Sequence, residues 1–185
     1  MLSIGNKMWF RDVWVYAWDT PFSQPDTNEI NGYLGMDILR GLLVTFDHMQ
    51  TVTFDISNHV CRGTSYFFDY DEFRRPFIGV AVDDHEIPNV LLDTGAKYST
   101  LSRKTVGALD AYVQENAVET SLTTTHGHVG SGYFISTVKN YCVVDTCEEN
   151  VAVHFPVWDA VGDTFFSRFT VTFDFPNRVL SFCGN

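Results

Sequence analysis

Apolar positions along this chain fall into short runs divided by polar turns carrying Gly, Pro, Asn and Asp, a pattern that predicts strands rather than helices. Residues 13–18 (Val-Trp-Val-Tyr-Ala-Trp) read as a buried strand ended by Asp19-Thr20-Pro21, and residues 20–32 as a turn-rich loop. Residues 33–39 follow. Leu43-Val44-Thr45-Phe46-Asp47 and Thr51-Val52-Thr53-Phe54-Asp55, separated by His48-Met49-Gln50, then predict a hairpin. Residues 56–75 are polar and aromatic and read as a connector. Beyond Pro76, residues 77–82 and the turn Asp83-Asp84-His85-Glu86 lead into an apolar run ending at Asp93, and alternation with turn chemistry predicts a hairpin there. Val106, Leu109 and Tyr112/Val113 at helical spacing, with Ser102 as N-cap, predict one helix over 103–113. Residues 122–144 predict another hairpin whose tip is His126, Gly127, His128, Val129, Gly130, Ser131 and Gly132. Residues 151–158 and the closing strands to Phe182 complete an all-β pattern. Trp14, Trp18 and Trp158 lie inside strand runs and read as core.

Self-comparison adds an organisation that local patterning does not show. Setting Gly35 against Gly162 without gaps pairs residues 44–47 (Val-Thr-Phe-Asp) with the same four residues at 171–174, and Val52 with Val179. Upstream of the 20–32 loop the match resumes at a wider spacing, pairing Val13 with Val153, Trp18 with Trp158 and Asp19 with Asp159. Two collinear blocks in one order imply an internal duplication.

Composition narrows the class. With 185 residues, 45% hydrophobic and 15% aromatic, the chain can bury a sizeable core. The 23 acidic against 12 basic residues give a net charge of -11, which argues against a nucleic-acid footprint, and no Lys/Arg cluster offers itself to anionic membrane. No apolar run is long enough for a membrane span. The N-terminal residues lack the pattern of a secretory signal. Cys61, Cys142, Cys147 and Cys183 show no zinc-type spacing. Cys142 and Cys147 can bridge a turn, and Cys61 and Cys183 each follow a strand-like segment. Two disulfides would imply an exported or periplasmic protein, whereas buried free thiols would fit the cytoplasm.

The chemistry concentrates in residues 90–102, Val-Leu-Leu-Asp-Thr-Gly-Ala-Lys-Tyr-Ser-Thr-Leu-Ser. An apolar run delivers one carboxylate onto a turn of small residues, where backbone hydrogen bonds must support it. Two aliphatics before Asp93-Thr94-Gly95, Ala96 after it, and Ser/Thr plus Leu a few residues on make this stretch resemble the active-site signature of aspartic proteases. The resemblance extends in order through the Gly-rich hairpin at 126–132 and Ala160-Val161-Gly162, a hydrophobic-hydrophobic-Gly element. Tyr33-Leu34-Gly35 is a second such element, and the endings that follow both glycines resemble bacterial retropepsin-like domains.

That resemblance implies an all-β fold, a closed barrel-like acid-protease lobe over residues 76–185 with one short helix, preceded by residues 1–55 as the back half of a similar lobe and a connector at 56–75. It implies an aspartic endopeptidase without metal or other cofactor, acting on a peptide or protein substrate. Asp93 would be catalytic, Thr94, Gly95 and Ala96 would support its loop, and the hairpin at 126–132 would close over substrate. Two carboxylates are needed, because the charged member takes a proton from water while the neutral one donates to the scissile carbonyl. Asp159 lies 66 residues after Asp93, and carrying that spacing back from Asp19 puts the matching aspartate before Met1. The second carboxylate is therefore expected from a missing first-lobe segment, making the chain a fragment, or from a homodimer partner.

Other motifs are weaker. His126 and His128 form an H-x-H pair without a third ligand nearby and read as exposed turn histidines, so no metal is expected. Ser99 and Ser131 lie in no G-x-S-x-G elbow, and Gly130-Ser131-Gly132 is followed by no Lys-Ser/Thr and reads as a turn rather than a phosphate loop. The alternative function is a non-catalytic retropepsin-like domain used for binding or dimerisation.

Overall fold

The computed structural model describes residues 2–4, 8–10, 34–56, 63–108, 116–123 and 129–183. The expected strand at 13–18, the loop at 20–32 and His126, Gly127 and His128 lie outside them. In chain order the elements are β1 (Leu2–Ile4), β2 (Met8–Phe10), α1 (Met36–Leu39), β3 (Leu43–Asp47), β4 (Thr51–Asp55), β5 (Gly63–Phe67), β6 (Asp69–Tyr70), β7 (Pro76–Val82), β8 (His85–Leu92), β9 (Ser99–Ser102), α2 (Arg103–Ala108), β10 (Val118–Thr123), β11 (Val129–Val143), β12 (Thr146–Val157), β13 (Ala160–Val161), α3 (Asp163–Phe166), β14 (Thr170–Asp174) and β15 (Val179–Cys183). β1 and β2 pair with each other as a small hairpin.

Six strands close into a barrel in the order β7, β8, β13, β9, β12, β11, sealed where Val80, Ala81 and Val82 of β7 meet Val143, Cys142 and Tyr141 of β11. The period-two pattern explains the closure: Ile78, Val80 and Val82 of β7 point inward, while Gly79 is exposed and Phe77 and Ala81 are half-buried. Val90 and Leu92, Leu101, Val138, Tyr141 and Val143, Val151 and Val153, and Val161 complete the interior. Each such side chain contributes about 1.5–3 kcal/mol by leaving water. Two-residue turns at Asp83-Asp84 and Val144-Asp145 join β7 to β8 and β11 to β12, with positive φ at Asp83, Asp84 and Val144. Across the second turn Cys142 faces Cys147 in the ladder, and the two form a disulfide. Cys183 is disulfide-bonded as well.

β4, β3, β14, β15 and β5 form a second, antiparallel sheet, and here the repeat acquires geometry. α1 follows Gly35 and α3 follows Gly162. In both turns the glycine carbonyl accepts from the third and fourth residues on, Ile38 and Leu39 in one and Phe165 and Phe166 in the other. β3 and β14 then lie side by side, with Thr45 opposite Thr172 and their hydroxyls 2.9 Å apart. Those two threonines are equivalent in the repeat, so a local two-fold axis passes between them. The ungapped pairing of Val52 with Val179 needs correction. The turn after β3 has three residues and the turn after β14 has four, so the ladders match Val52 to Leu180, Thr53 to Ser181 and Phe54 to Phe182.

One sheet face carries a cross-strand row of hydroxyls, Thr53, Thr45, Thr172, Ser181 and Ser65, with Ser65 and Ser181 hydrogen-bonded at 2.8 Å. The opposite face sends Phe173 and Phe182 into an aromatic cluster with Phe165, Phe166, Phe169 and Phe68, which joins the sheet to the barrel core. Part of the expected connector is therefore structured, since β5 pairs with β15 and β6 with β7. Among the described residues there are three short helices rather than one. Ser102 caps α2 as expected, its hydroxyl accepting from the Thr105 amide at 3.2 Å. No helix among the described residues is long and apolar enough to cross a membrane.

Candidate active site

Asp93 stands where β8 ends and the chain turns toward β9. β13 slots between those two strands, parallel to β8 through Ala160 opposite Leu91 and Val161 opposite Leu92, and antiparallel to β9 through Ala160 opposite Thr100. The Asp93 amide donates to the Val161 carbonyl at 3.0 Å, so the carboxylate's backbone is fixed by the crossing strand. Its Oδ1 accepts from the Gly95 amide at 3.0 Å, and the Asp93 carbonyl accepts from the Ala96 amide at 3.2 Å, which closes the turn. Asp93 remains half-exposed, with Gly95 at the surface. Gly95 has no positive φ. A Cβ there would lie 3.3 Å from the Asp93 carboxylate, so its small size matters more than its backbone freedom.

The underside of the loop is clamped by residues around Gly162. The Ala96 carbonyl accepts from the Asp163 amide at 2.8 Å. A Cβ on Gly162 would sit 2.3 Å from the Tyr98 carbonyl oxygen and 2.8 Å from that of Ala96, so only glycine fits. Ser99, fully buried, ties the two segments together. Its hydroxyl accepts from the Gly162 amide at 3.0 Å and from the Thr164 hydroxyl at 3.2 Å, while its own amide donates to Thr164 Oγ1 at 2.8 Å. Tyr141 adjoins this network. Burial pushes its phenol up, and its hydroxyl donates to the Ala160 carbonyl. Asp159 pins the far side, taking the Leu91 amide on its carbonyl at 3.1 Å and the Ser102 amide on its carboxylate at 2.7 Å.

The Gly95 and Ala96 amides bond Asp93 within the turn, and the loop's support differs from the expected one at Thr94. Thr94, expected among the supports of the loop, makes no side-chain hydrogen bond among the described residues. Ser99, Thr164 and Gly162 hold the loop instead. Ser99 was visible inside the motif, but its partner lies 65 residues away and no local pattern marks it. Of the expected substrate-covering hairpin, Val129 and Gly130 are paired residues of β11 rather than a tip, opposite Thr123 and Leu122, and Ser131 and Gly132 lie at a register shift in the same strand. Gly132 has φ +79°. Trp158 is another correction. It is 51% exposed where β12 gives way to β13, not in the core, and its carbonyl accepts from the Thr100 hydroxyl at 2.7 Å.

A group of side chains that sequence reading missed flanks the loop. Tyr98 stacks on His154 with ring centroids 4.1 Å apart, and Lys97 places its ammonium 5.6 Å from the Tyr98 ring centroid. Burial, reinforced by the Lys97 charge, lowers the pKa of His154. Burial also raises the Asp163 carboxyl, with Lys97 opposing. His154 Nδ1 and Asp163 Oδ1 are buried without a hydrogen-bond partner.

No family model matches this chain, and no curated relative does. Among solved structures it is similar to a retropepsin-like aspartic protease from Rickettsia conorii, at 16% identity, over 64% of this chain and 91% of that one, with a TM-score of 0.51. At that identity the likeness defines the fold, an all-β aspartic-protease lobe built on a closed six-strand barrel.

Proposed function

We propose that the chain is part of an aspartic endopeptidase, with Asp93 as one of two catalytic carboxylates. The observation that carries this reading is the carriage of Asp93, a half-exposed carboxylate at a strand end whose backbone is bound by a crossing strand and whose loop is locked beneath by Gly162. The similarity in fold to a protease of that class supports it. Residues 76–185 form the complete lobe, residues 1–55 the later half of a first lobe, and the repeat around Thr45 and Thr172 is the seam between them.

The reaction requires a second aspartate facing Asp93, from an upstream first-lobe segment or from a second copy of the chain. Two carboxylates so placed share one proton, and they titrate as a pair. The ionised member removes a proton from water as it attacks the peptide carbonyl, and the protonated member donates to the carbonyl oxygen. The hairpin of β10 and β11 covers a peptide bound as an extended strand. Incubation of the full-length protein with a mixed peptide library at acidic and neutral pH, beside Asp93→Asn, tests the assignment. Cleavage that disappears with the substitution is expected. Equal cleavage by both proteins would sink it, and absence of cleavage by either would favour a binding or dimerisation domain.

A further inference from the structure

We propose that Lys97, carried on the Tyr98 ring beside the Asp93 loop, selects peptides with an acidic side chain near the bond facing Asp93. This names the substrate class for the function proposed above and rests on that reading for the position of the peptide.

The argument begins with the backbone. Ala96 is held by the Asp163 amide, and the carbonyls of Ala96 and Tyr98 are both packed against Gly162, so Lys97 is gripped from either side. Its side chain is exposed, and its ammonium lies over the Tyr98 ring, itself backed by the stacked His154. A lysine on such a base loses less freedom when it binds an anion than one on a free stem. Neither neighbour is ion-paired with it: His154 is 5% exposed and neutral above its lowered pKa, and the Asp163 carboxyl feels the Lys97 charge without forming an ion pair with it. Lys97 forms no ion pair among the described residues, a state it shares with Arg40, Arg74, Arg103 and Lys104, and what sets it apart is its place on the clamped loop that begins at Asp93. In a chain of net charge -11, an unpaired cation four positions after Asp93 is a local reversal of the surface field. Its natural complement is a carboxylate, and an extended peptide crossing Asp93 brings its side chains past this point.

The test separates this inference from the proposed cleavage. Full-length protein carrying Asp93→Asn is exposed to paired pools of random octapeptides, one with Glu and one with Gln fixed at successive positions, and retained peptides are quantified. Glu pools are expected to be retained about fivefold over Gln pools at one or two adjacent positions, an advantage that falls with added salt. Lys97→Gln should abolish the preference, Lys97→Arg should keep it, and Lys97→Glu should turn it toward Lys-containing pools. Equal retention of Glu and Gln pools, including retention of neither, overturns the inference, as does a preference that survives Lys97→Gln. Binding does not require turnover. A preference that follows Lys97 in a protein that cleaves nothing would therefore uphold this inference while removing the endopeptidase reading, and Asp93-dependent cleavage indifferent to Lys97 would do the reverse.

Discussion

Gly162 bears on two carbonyls at once, and a single methyl group there should show how far the Asp93 loop depends on the strand beneath it. In Gly162→Ala the new Cβ would meet the Tyr98 backbone oxygen at 2.3 Å, which no rotamer change relieves. The loop must lift, breaking the bonds from the Gly162 amide to Ser99 and from the Asp163 amide to Ala96. Overpacking of this kind costs about 1–3 kcal/mol, and thermal unfolding should register it as a lower Tm. Any Asp93-dependent cleavage should fall further than stability alone explains. His154 offers a pH test. Its folded pKa lies below the ordinary 6.5, so its contribution to stability is full above 6.5 and is lost as pH falls through the folded value. His154→Phe, which keeps the stack on Tyr98, should flatten the part of the acid-side decline in Tm that begins below 6.5, and an unchanged profile would remove His154 as its source.

At the scale of elements, the disulfide between Cys142 and Cys147 fastens the β11–β12 turn that also carries the barrel's closing contact with β7. Cross-linking so short a loop stabilises by about 2 kcal/mol in the chain-entropy account. The double substitution Cys142→Ser/Cys147→Ser should lower the unfolding midpoint accordingly while leaving the far-ultraviolet circular dichroism unchanged. The sequence offered this bridge only beside the alternative of free thiols, whereas the hairpins of β3 with β4 and β7 with β8 were legible because alternation and turn chemistry are local signals. The single turns α1 and α3 were not. Four residues hold too little of a 3.6-residue period, and both are defined by hydrogen bonds to glycine carbonyls. Trp158 misled for a related reason. The apolar run of β12 continues to it, but the chain changes partners there, so the run's end leaves the core. The site was half legible. Asp93 and Gly162 announced themselves by motif, whereas the Lys97, Tyr98 and His154 stack depends on a strand pairing between β9 and β12 that no local pattern reveals.

For the whole molecule, the repeat found by self-comparison is a packing unit, and its removal is the broadest test of the fold. β3 and β4 flank β14 on one side as β15 and β5 do on the other, and Val44 and Phe46 face the same interior as Phe173 and Val171. A protein beginning at residue 63 would keep every strand of the barrel. It would also leave β14 with an open, apolar edge at Val171 and Phe173, and such edges invite association. Phe173 contacts Phe46, Phe166 and Phe175, and Phe166 belongs to the turn whose Asp163 amide clamps Ala96. Disturbance at the sheet should therefore reach the Asp93 loop through α3. The shortened protein is expected to unfold at a lower temperature, with a broader transition and more aggregation by light scattering than the full chain. Phe46→Ala, which removes one edge contact without exposing the strand, should cost about 3 kcal/mol, at the low end for a buried aromatic because Phe46 is only partly buried. Equal midpoints and equal solubility for the shortened and full-length proteins would show the barrel to be self-sufficient and the first repeat unit to be merely attached to it.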